Sequence, residues 1–501
     1  MEKIKEKGAG YSSRFGMLCV LIGGSVGTGN MWRFPRLVAN CGGGSFIIVM
    51  TICLFLIAIP LVYVENVIGR ATRHSAPGAF RDMIGEKWTW MGTVATLIYF
   101  LMLSYYCVVL GWCSRYTVMS ITGSYFGADK AELFTQVTNG DPITAVCWLV
   151  GMVLIYLCIK KRTGLEKSSS ILLPALFVIL VVLAVYALTR ENASSGLEYA
   201  FTVDAAALVK PNTWIEALAQ CAWSVGPGTM MIVAGAKYQS KDDDIVLNSH
   251  TLAFGDMTVA LLATLVVLPC VFAFAASTDS AVEICQSGSN GITFLGLTNL
   301  FEVMPAGRLV GTLFFLCLTF AAFSSATLMA TCFSNALIDL GMTRTKAVRI
   351  VVVALTIVGI PSVLNQDFLT NQDTTWGTGL VLGTLFLGFL VRKFGAAKMR
   401  NQLINPVSDI KITKRWDFLA GTLAPFAIAV LLITWIVQSI GWSDNWWNPF
   451  EVANLGTMVC QWAVVFIAAF AMNKWINKAI KKKYFNGETF DDIPEEILNE
   501  Q

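Results

Sequence analysis

Charge is scarce in this chain. Of its 501 residues only 14% are Asp, Glu, Lys or Arg, against 55% hydrophobic, and the mean hydropathy is +0.63. That leaves too little polar surface for a soluble protein of this length, so most of it belongs in a bilayer. Histidine is scarcer still. The two histidines, His74 and His250, sit near the ends of apolar stretches, and no CxxC pair occurs. Together these exclude a zinc site and a histidine-based catalytic constellation, so no enzyme is expected. The thirteen cysteines are poorly placed for disulfides. Cys19, Cys53, Cys107, Cys147, Cys158, Cys221, Cys270, Cys317, Cys332 and Cys460 fall inside apolar stretches, where a thiol behaves as a small hydrophobe. Cys41 and Cys113 lie near the ends of such stretches, and Cys285 alone lies in a clear loop, so no structural disulfide is expected. There is no low-complexity segment and no short tandem repeat.

What is present is a series of apolar windows, each long enough to cross about 30 Å of hydrocarbon. They fall near 15–38, 45–68, 89–119, 142–160, 168–189, 214–238, 245–276, 308–340, 346–365, 374–392, 416–438 and 452–473. The expected fold class is an all-α membrane protein with twelve transmembrane helices. The first window has charged flanks and lacks a small-residue cleavage site, so it reads as a retained helix and not a signal peptide. With both termini cytoplasmic, 29 of the 36 lysines and arginines lie on the inner side, a bias that sets this orientation. The net charge of +3 is therefore less informative than its asymmetry, which points to the lipid bilayer and not to nucleic acid. The longest outer segments are 120–141, 190–213 and 277–307, and residues 393–415 form a basic inner linker. The tail begins basic and ends acidic.

Two windows are interrupted by glycine in the same way. Gly23-Gly24-Ser25-Val26-Gly27-Thr28-Gly29 breaks the first, and Ser224-Val225-Gly226-Pro227-Gly228 breaks the sixth. A helix in lipid must satisfy its own backbone, so an unwound segment at that depth survives only where it lines a cavity or coordinates something. Two such breaks in corresponding positions of two halves point to a secondary transporter with its substrate at the midplane. Close helix packing alone accounts poorly for Asn30, Arg33 and Pro227 in these stretches.

The run GGSVGTGNMWRFP (23–35), with GGGSF (42–46) and IPLVYVENVIGR (59–70), resembles the neurotransmitter:sodium symporter family, and the similarity runs through windows one to ten. The resemblance implies the LeuT-type fold, two five-helix repeats inverted in the membrane with helices one and six broken. Residues 1–190 and 191–393 would be the two repeats, 394–475 spans eleven and twelve, and 476–501 a cytoplasmic tail. It also implies two sodium ions. The first would be held by Ser25, Asn30 and Ser224 with Asp256 on span seven; the second by Gly23, Val26, Ala321, Ser324 and Ser325. Unwound helix ends offer the free carbonyl oxygens that must replace a sodium ion's water.

Where chloride-dependent members of the family carry a neutral amide, this chain has Asp256, and the position that is glutamate in some bacterial relatives is Ala260. A fixed carboxylate supplies the negative charge internally, so chloride-independent transport is expected, and Asp256 could take up a proton when sodium leaves. Monoamine transporters of the family place an aspartate at the position of Gly27. Without it, the cavity has room for a substrate carboxylate, held by the amides near Thr28 and Gly29 and by the Tyr106 hydroxyl. The substrate is expected to be an α-amino acid. Its side chain would face Gly24, Met102, Trp223, Gly226, Thr229, Ser325 and Met329, a surface suited to a neutral, hydrophobic, bulky group.

Arg33 and Asp373 would form the outer gate, with Tyr106 and Trp223 as an inner lid. On the inside, Tyr238 and Asp339 match the family's latch, but its arginine falls at Gly8, with Lys7 a substitute. Gly164 and Pro174 match a spacing linked in bacterial members to unwinding of span five. The short second outer loop and short tails resemble bacterial members, which places the chain in a bacterial inner membrane and makes the Asn192-Ala193-Ser194 sequon accidental. Monomer and homodimer both stay open. So do two other readings: a sodium-dependent amino-acid sensor or channel-like protein, and a same-fold transporter of another small zwitterion or osmolyte.

Overall fold

The computed structural model describes residues 10–480, 483–485 and 488–489. Among the described residues the regular structure is helical apart from an isolated β-bridge between Gly43 and Val203 and a hairpin of two short strands, Tyr484–Phe485 with Glu488–Thr489. Ten helices are long and apolar enough to cross a bilayer. They are span 2 (Gly44–Thr72), span 3 (Glu86–Thr122), span 4 (Pro142–Ile159), span 5 (Thr163–Leu188), span 7 (Ile245–Phe274), span 8 (Gly307–Asp339), span 9 (Arg344–Leu364), span 10 (Gln366–Phe394), span 11 (Lys414–Ile440) and span 12 (Leu455–Ala479). The other two expected crossings are the broken ones. Span 1 is Arg14–Ser25 and Gly29–Asn40, meeting at 59°. Span 6 is Pro211–Trp223 and Met231–Ala236, each too short to cross alone.

Polar residues start many of these helices. Asp141, Asp244, Asn365 and Asn454 each accept a backbone N–H of the first turn, which supplies a partner for a donor that no helix can satisfy internally. The outer segments are not bare loops: they carry short helices such as Lys130–Thr138, Ala193–Phe201 and Thr278–Gln286. Span 12 continues to Ala479, past the boundary expected at 475, and the acidic end of the tail lies outside the described residues.

Spans 3 and 10 are central, with 78% of their apolar windows buried, whereas spans 4, 5, 11 and 12 are at most 33% buried. The exposed faces of the outer group are apolar, as in Val146, Val150 and Val153 of span 4, and suit contact with lipid chains. All thirteen cysteines are free, and Cys285, expected in a loop, is buried.

The two breaks have identifiable causes. Span 1 leaves the helix at Val26, whose backbone is extended at φ −68° and ψ 101°. In span 6, Gly226 and Gly228 adopt φ of +71° and +96°, which side chains other than glycine disfavour, and Pro227 between them has no N–H to give. Gly228 is fixed by contact as well: a Cβ there would lie 2.3 Å from the Thr384 backbone nitrogen. Opposite it, a Cβ on Gly383 would lie 2.0 Å from the Gly228 oxygen, so the backbones of spans 6 and 10 touch. Thr384 closes this contact by donating to the Pro227 carbonyl at 2.6 Å.

The N–H groups freed by the span 6 break converge on one carboxylate. Glu65 of span 2, fully buried, accepts from Gly228 (2.5 Å), Met230 (3.4 Å), Ile232 (3.2 Å) and Val233 (3.4 Å). An anion at the start of the inner half-helix satisfies its unpaired donors and its dipole together.

Candidate functional site

A cavity of about 530 Å³ opens where the two breaks face each other. All eleven residues expected to meet the substrate line it: Gly24, Gly27, Thr28 and Gly29 from span 1; Met102 and Tyr106 from span 3; Trp223, Gly226 and Thr229 from span 6; and Ser325 and Met329 from span 8. Its far end reaches Ser287, Gly288, Asn290 and Gly291 of the outer segment 277–307. Gly27 is closely approached from two spans. A Cβ there would lie 2.9 Å from the Tyr106 hydroxyl oxygen and 3.2 Å from Ser325 Oγ, so glycine keeps that volume open. Tyr106 accepts the Thr28 N–H at 3.3 Å, which aims its hydroxyl at the break. Tyr99 and Met231, which the sequence reading omitted, also line the cavity, with the Tyr99 hydroxyl donating to Met231 Sδ at 3.3 Å.

The group expected to hold the first sodium is brought together at the wall of this cavity, which Ser25, Asn30 and Ser224 line. Asn30 donates to Asp256 Oδ1 at 2.8 Å, to the Asp256 carbonyl at 3.2 Å and to Ser224 Oγ at 3.0 Å, while Ser224 donates to Asp256 Oδ2 at 2.6 Å. The Asn30 side-chain oxygen accepts the Gly27 N–H at 3.0 Å, so the three side chains bond to one another and to the span 1 break. Ser25 Oγ, next to them in the chain, is buried with no hydrogen-bond partner.

The second expected group is also adjacent. Ser325 donates to the Val26 carbonyl at 2.9 Å. A Cβ on Gly23 would lie 2.5 Å from Ser324 Oγ, which is itself buried without a partner. Ala321 is fully buried one turn earlier on span 8. An unsatisfied buried hydroxyl beside backbone carbonyls of the span 1 break is an oxygen set that fits a hard monovalent cation.

The gates differ from expectation. Arg33 and Asp373 both line the cavity, but no ion pair joins them. Arg33 instead pairs with Glu216 at 3.1 Å and donates to Gln220 at 2.7 Å, both on the outer half of span 6. Inside, Lys7 and Gly8 lie outside the described residues. Asp339 is held by Lys237 at 2.6 Å and by the Ser75 N–H and hydroxyl, each at 2.6 Å. Tyr238 donates to Asn335 at 2.6 Å and accepts from Arg344 at 3.0 Å. Span 5 is wound through Gly164 and Pro174. Glu65, Glu216 and Lys237 were not singled out from sequence. Each carried a signal as a charge in an apolar window, Glu65 in 45–68 and Glu216 and Lys237 toward the ends of 214–238.

Comparison with known proteins agrees with this geometry. The model of the sodium:neurotransmitter symporter family matches residues 9–129 and 134–478. An uncharacterized sodium-dependent transporter of Methanocaldococcus jannaschii is 30% identical over 441 residues, 84% of this chain and 89% of its own length. The sodium-dependent neutral amino acid transporter B(0)AT2 of Pongo abelii is 24% identical over 60% of this chain and 45% of its own length. The crystal structure of MhsT in complex with L-phenylalanine, which has the LeuT fold, superposes with a TM-score of 0.71 at 27% identity, over 85% of this chain and 99% of MhsT. The chain is thus an all-α protein of the LeuT fold and belongs to the sodium:neurotransmitter symporter family, whose members are sodium-coupled transporters and not enzymes.

Proposed function

We propose that this protein is a symporter that uses sodium to import a neutral, hydrophobic α-amino acid by alternating access. The observation that carries the reading is the single cavity bounded by both helix breaks and lined by all eleven residues expected to hold an amino acid. The substrate carboxylate sits in the space left by Gly27, against Tyr106 and the amides near Thr28 and Gly29; the amine faces carbonyls freed in span 6. Met102, Met231 and Met329 give the side chain a soft apolar wall. The ligand named with MhsT, L-phenylalanine, is of this type.

Two sodium ions are assigned to the two oxygen groups, one at Ser25, Asn30, Ser224 and Asp256, the other at Gly23, Val26, Ala321, Ser324 and Ser325. Sodium entering the first group displaces the hydrogen bonds that Asn30 and Ser224 now make to Asp256, and turns the Asn30 amide oxygen toward the ion. Asp256 supplies the balancing negative charge, so chloride is not required. The distribution of basic residues supports cytoplasmic termini, and the short second outer loop and tails support a bacterial inner membrane. The outer gate closes when Arg33 exchanges Glu216 for Asp373.

Two sodium ions carried with a zwitterion draw about 4.6 kcal/mol per 100 mV of membrane potential. At about 1.4 kcal/mol per tenfold ratio, this supports accumulation above a thousandfold. The test is uptake into sealed proteoliposomes of each neutral amino acid under an inward sodium gradient. Sodium-driven accumulation of a hydrophobic amino acid supports the proposal. Binding without accumulation would support the sensor reading, and accumulation of a betaine-type osmolyte alone would support the other.

A further inference from the structure

The inner end of span 1 is held by a residue that neither the sodium groups nor the expected latch includes. Glu166, buried near the start of span 5, accepts the Ser12 N–H at 3.0 Å with each carboxylate oxygen. It also accepts the Ser12 hydroxyl at 2.5 Å and the Ser13 N–H at 3.3 Å. These are donors at the start of the Arg14–Ser25 half-helix. Ser13 caps the same end with its own hydroxyl, accepting from Gly16 at 2.9 Å. Glu166 therefore adds a negative charge at a capped helix start, where it is favourable. The fit requires a missing side chain: a Cβ on Gly16 would lie 2.2 Å from Glu166 Oε1.

Seven residues along the same helix, Leu173 packs beside Gly23, next to Ser324. Span 5 thus touches the Arg14–Ser25 half-helix at both ends, by a carboxylate at its start and by packing at the second sodium group. Pro174, just beyond, withholds one N–H from span 5, so the turn before it is held by fewer hydrogen bonds than the rest. Lys237 and Ser75 form a separate ion pair and hydrogen-bond group on Asp339 at the end of span 8.

We infer that Glu166 is the positioning residue that keeps the inner half of span 1 docked while sodium and substrate are bound, and that its release from Ser12 and Ser13 accompanies opening to the cytoplasm. This rests on the proposed alternating-access reading and names the latch within it.

The test uses the full chain in nanodiscs, with hydrogen–deuterium exchange followed on peptides covering 11–25 and 163–176, in sodium and in potassium. Glu166→Ala is expected to raise exchange in both peptides about tenfold in sodium, to the level that the unaltered chain shows in potassium. Glu166→Asp is expected to recover part of this protection. Gly16→Ala, which displaces the carboxylate without removing it, is expected to act like Glu166→Ala. Unchanged exchange in Glu166→Ala overturns the inference, and so does exchange that rises evenly over all spans. Absence of sodium-driven uptake by the unaltered chain would instead count against the proposed transport, and the local exchange change would still report the latch.

Discussion

Ser224 of the broken sixth span donates its hydroxyl to Asp256 of span 7 at 2.6 Å, and Asn30 of the broken first span donates to the other oxygen of the same carboxylate at 2.8 Å. One fully buried acid thus ties both breaks together. A carboxylate with only neutral hydrogen-bond partners in an apolar interior is costly unless a cation joins it.

The chloride independence proposed for this transporter is tested through that carboxylate. Replacing chloride with gluconate is expected to leave the initial rate of uptake unchanged. Asp256→Asn keeps the size and removes the charge; it is expected to raise the sodium concentration for half-maximal uptake by about tenfold or more, equivalent to about 1.4 kcal/mol. A flux assay over a sodium titration checks both.

In the proposed binding mode, Gly27 leaves the room that the substrate carboxylate takes. In Gly27→Ala the new methyl meets Tyr106 and Ser325 at 2.9 and 3.2 Å, so the tyrosine must shift. Amino-acid affinity is expected to fall about tenfold, with little loss of thermal stability because these neighbours are side chains at an open cavity. Competition binding and a melting curve on one preparation separate the two effects.

Glu65 acts on the fold and not on the substrate. Glu65→Gln leaves the four N–H groups with a weaker, neutral acceptor and sets an NH2 where an acceptor is needed. A loss of about 2 kcal/mol is expected, read as a lower melting temperature that saturating sodium and amino acid only partly restore.

At the outer mouth the two acids near Arg33 are expected to behave differently. The Arg33–Glu216 pair is partly exposed, with side chains 20% and 31% accessible, so Glu216→Gln should change uptake less than threefold. Asp373→Asn removes the partner that the closing arginine needs and should cut uptake about tenfold, while equilibrium binding stays within threefold. Paired flux and binding measurements decide between these acids.

Much of this was legible in the residues because the informative features are local. Glycine and proline at bilayer depth mark the breaks at 23–29 and 224–228 whatever the tertiary structure, and the contiguous motifs bring the cavity residues with them. What was not legible depends on reach between distant segments. Nothing in the order of residues says that Arg33 extends to Glu216 in preference to Asp373, which lines the same cavity. The acid in the window 45–68 was visible, but not that its carboxylate serves the backbone of span 6. Glu166 reads as one charge in a cytoplasmic turn until the chain brings Ser12 against it. Span 5 is continuous through Pro174, so the glycine–proline spacing alone does not say that the helix is unwound.

The most direct test of the central claim is the linkage between sodium and amino acid at the cavity. Binding of radiolabelled L-phenylalanine to the purified chain, or of whichever hydrophobic amino acid the uptake screen returns, is measured in sodium and again with potassium in its place. Affinity at least tenfold higher in sodium is predicted, with amino acid raising sodium affinity by the same factor. Equal affinity in the two salts, or binding that survives Asn30→Ala and Ser224→Ala unchanged, would contradict the account.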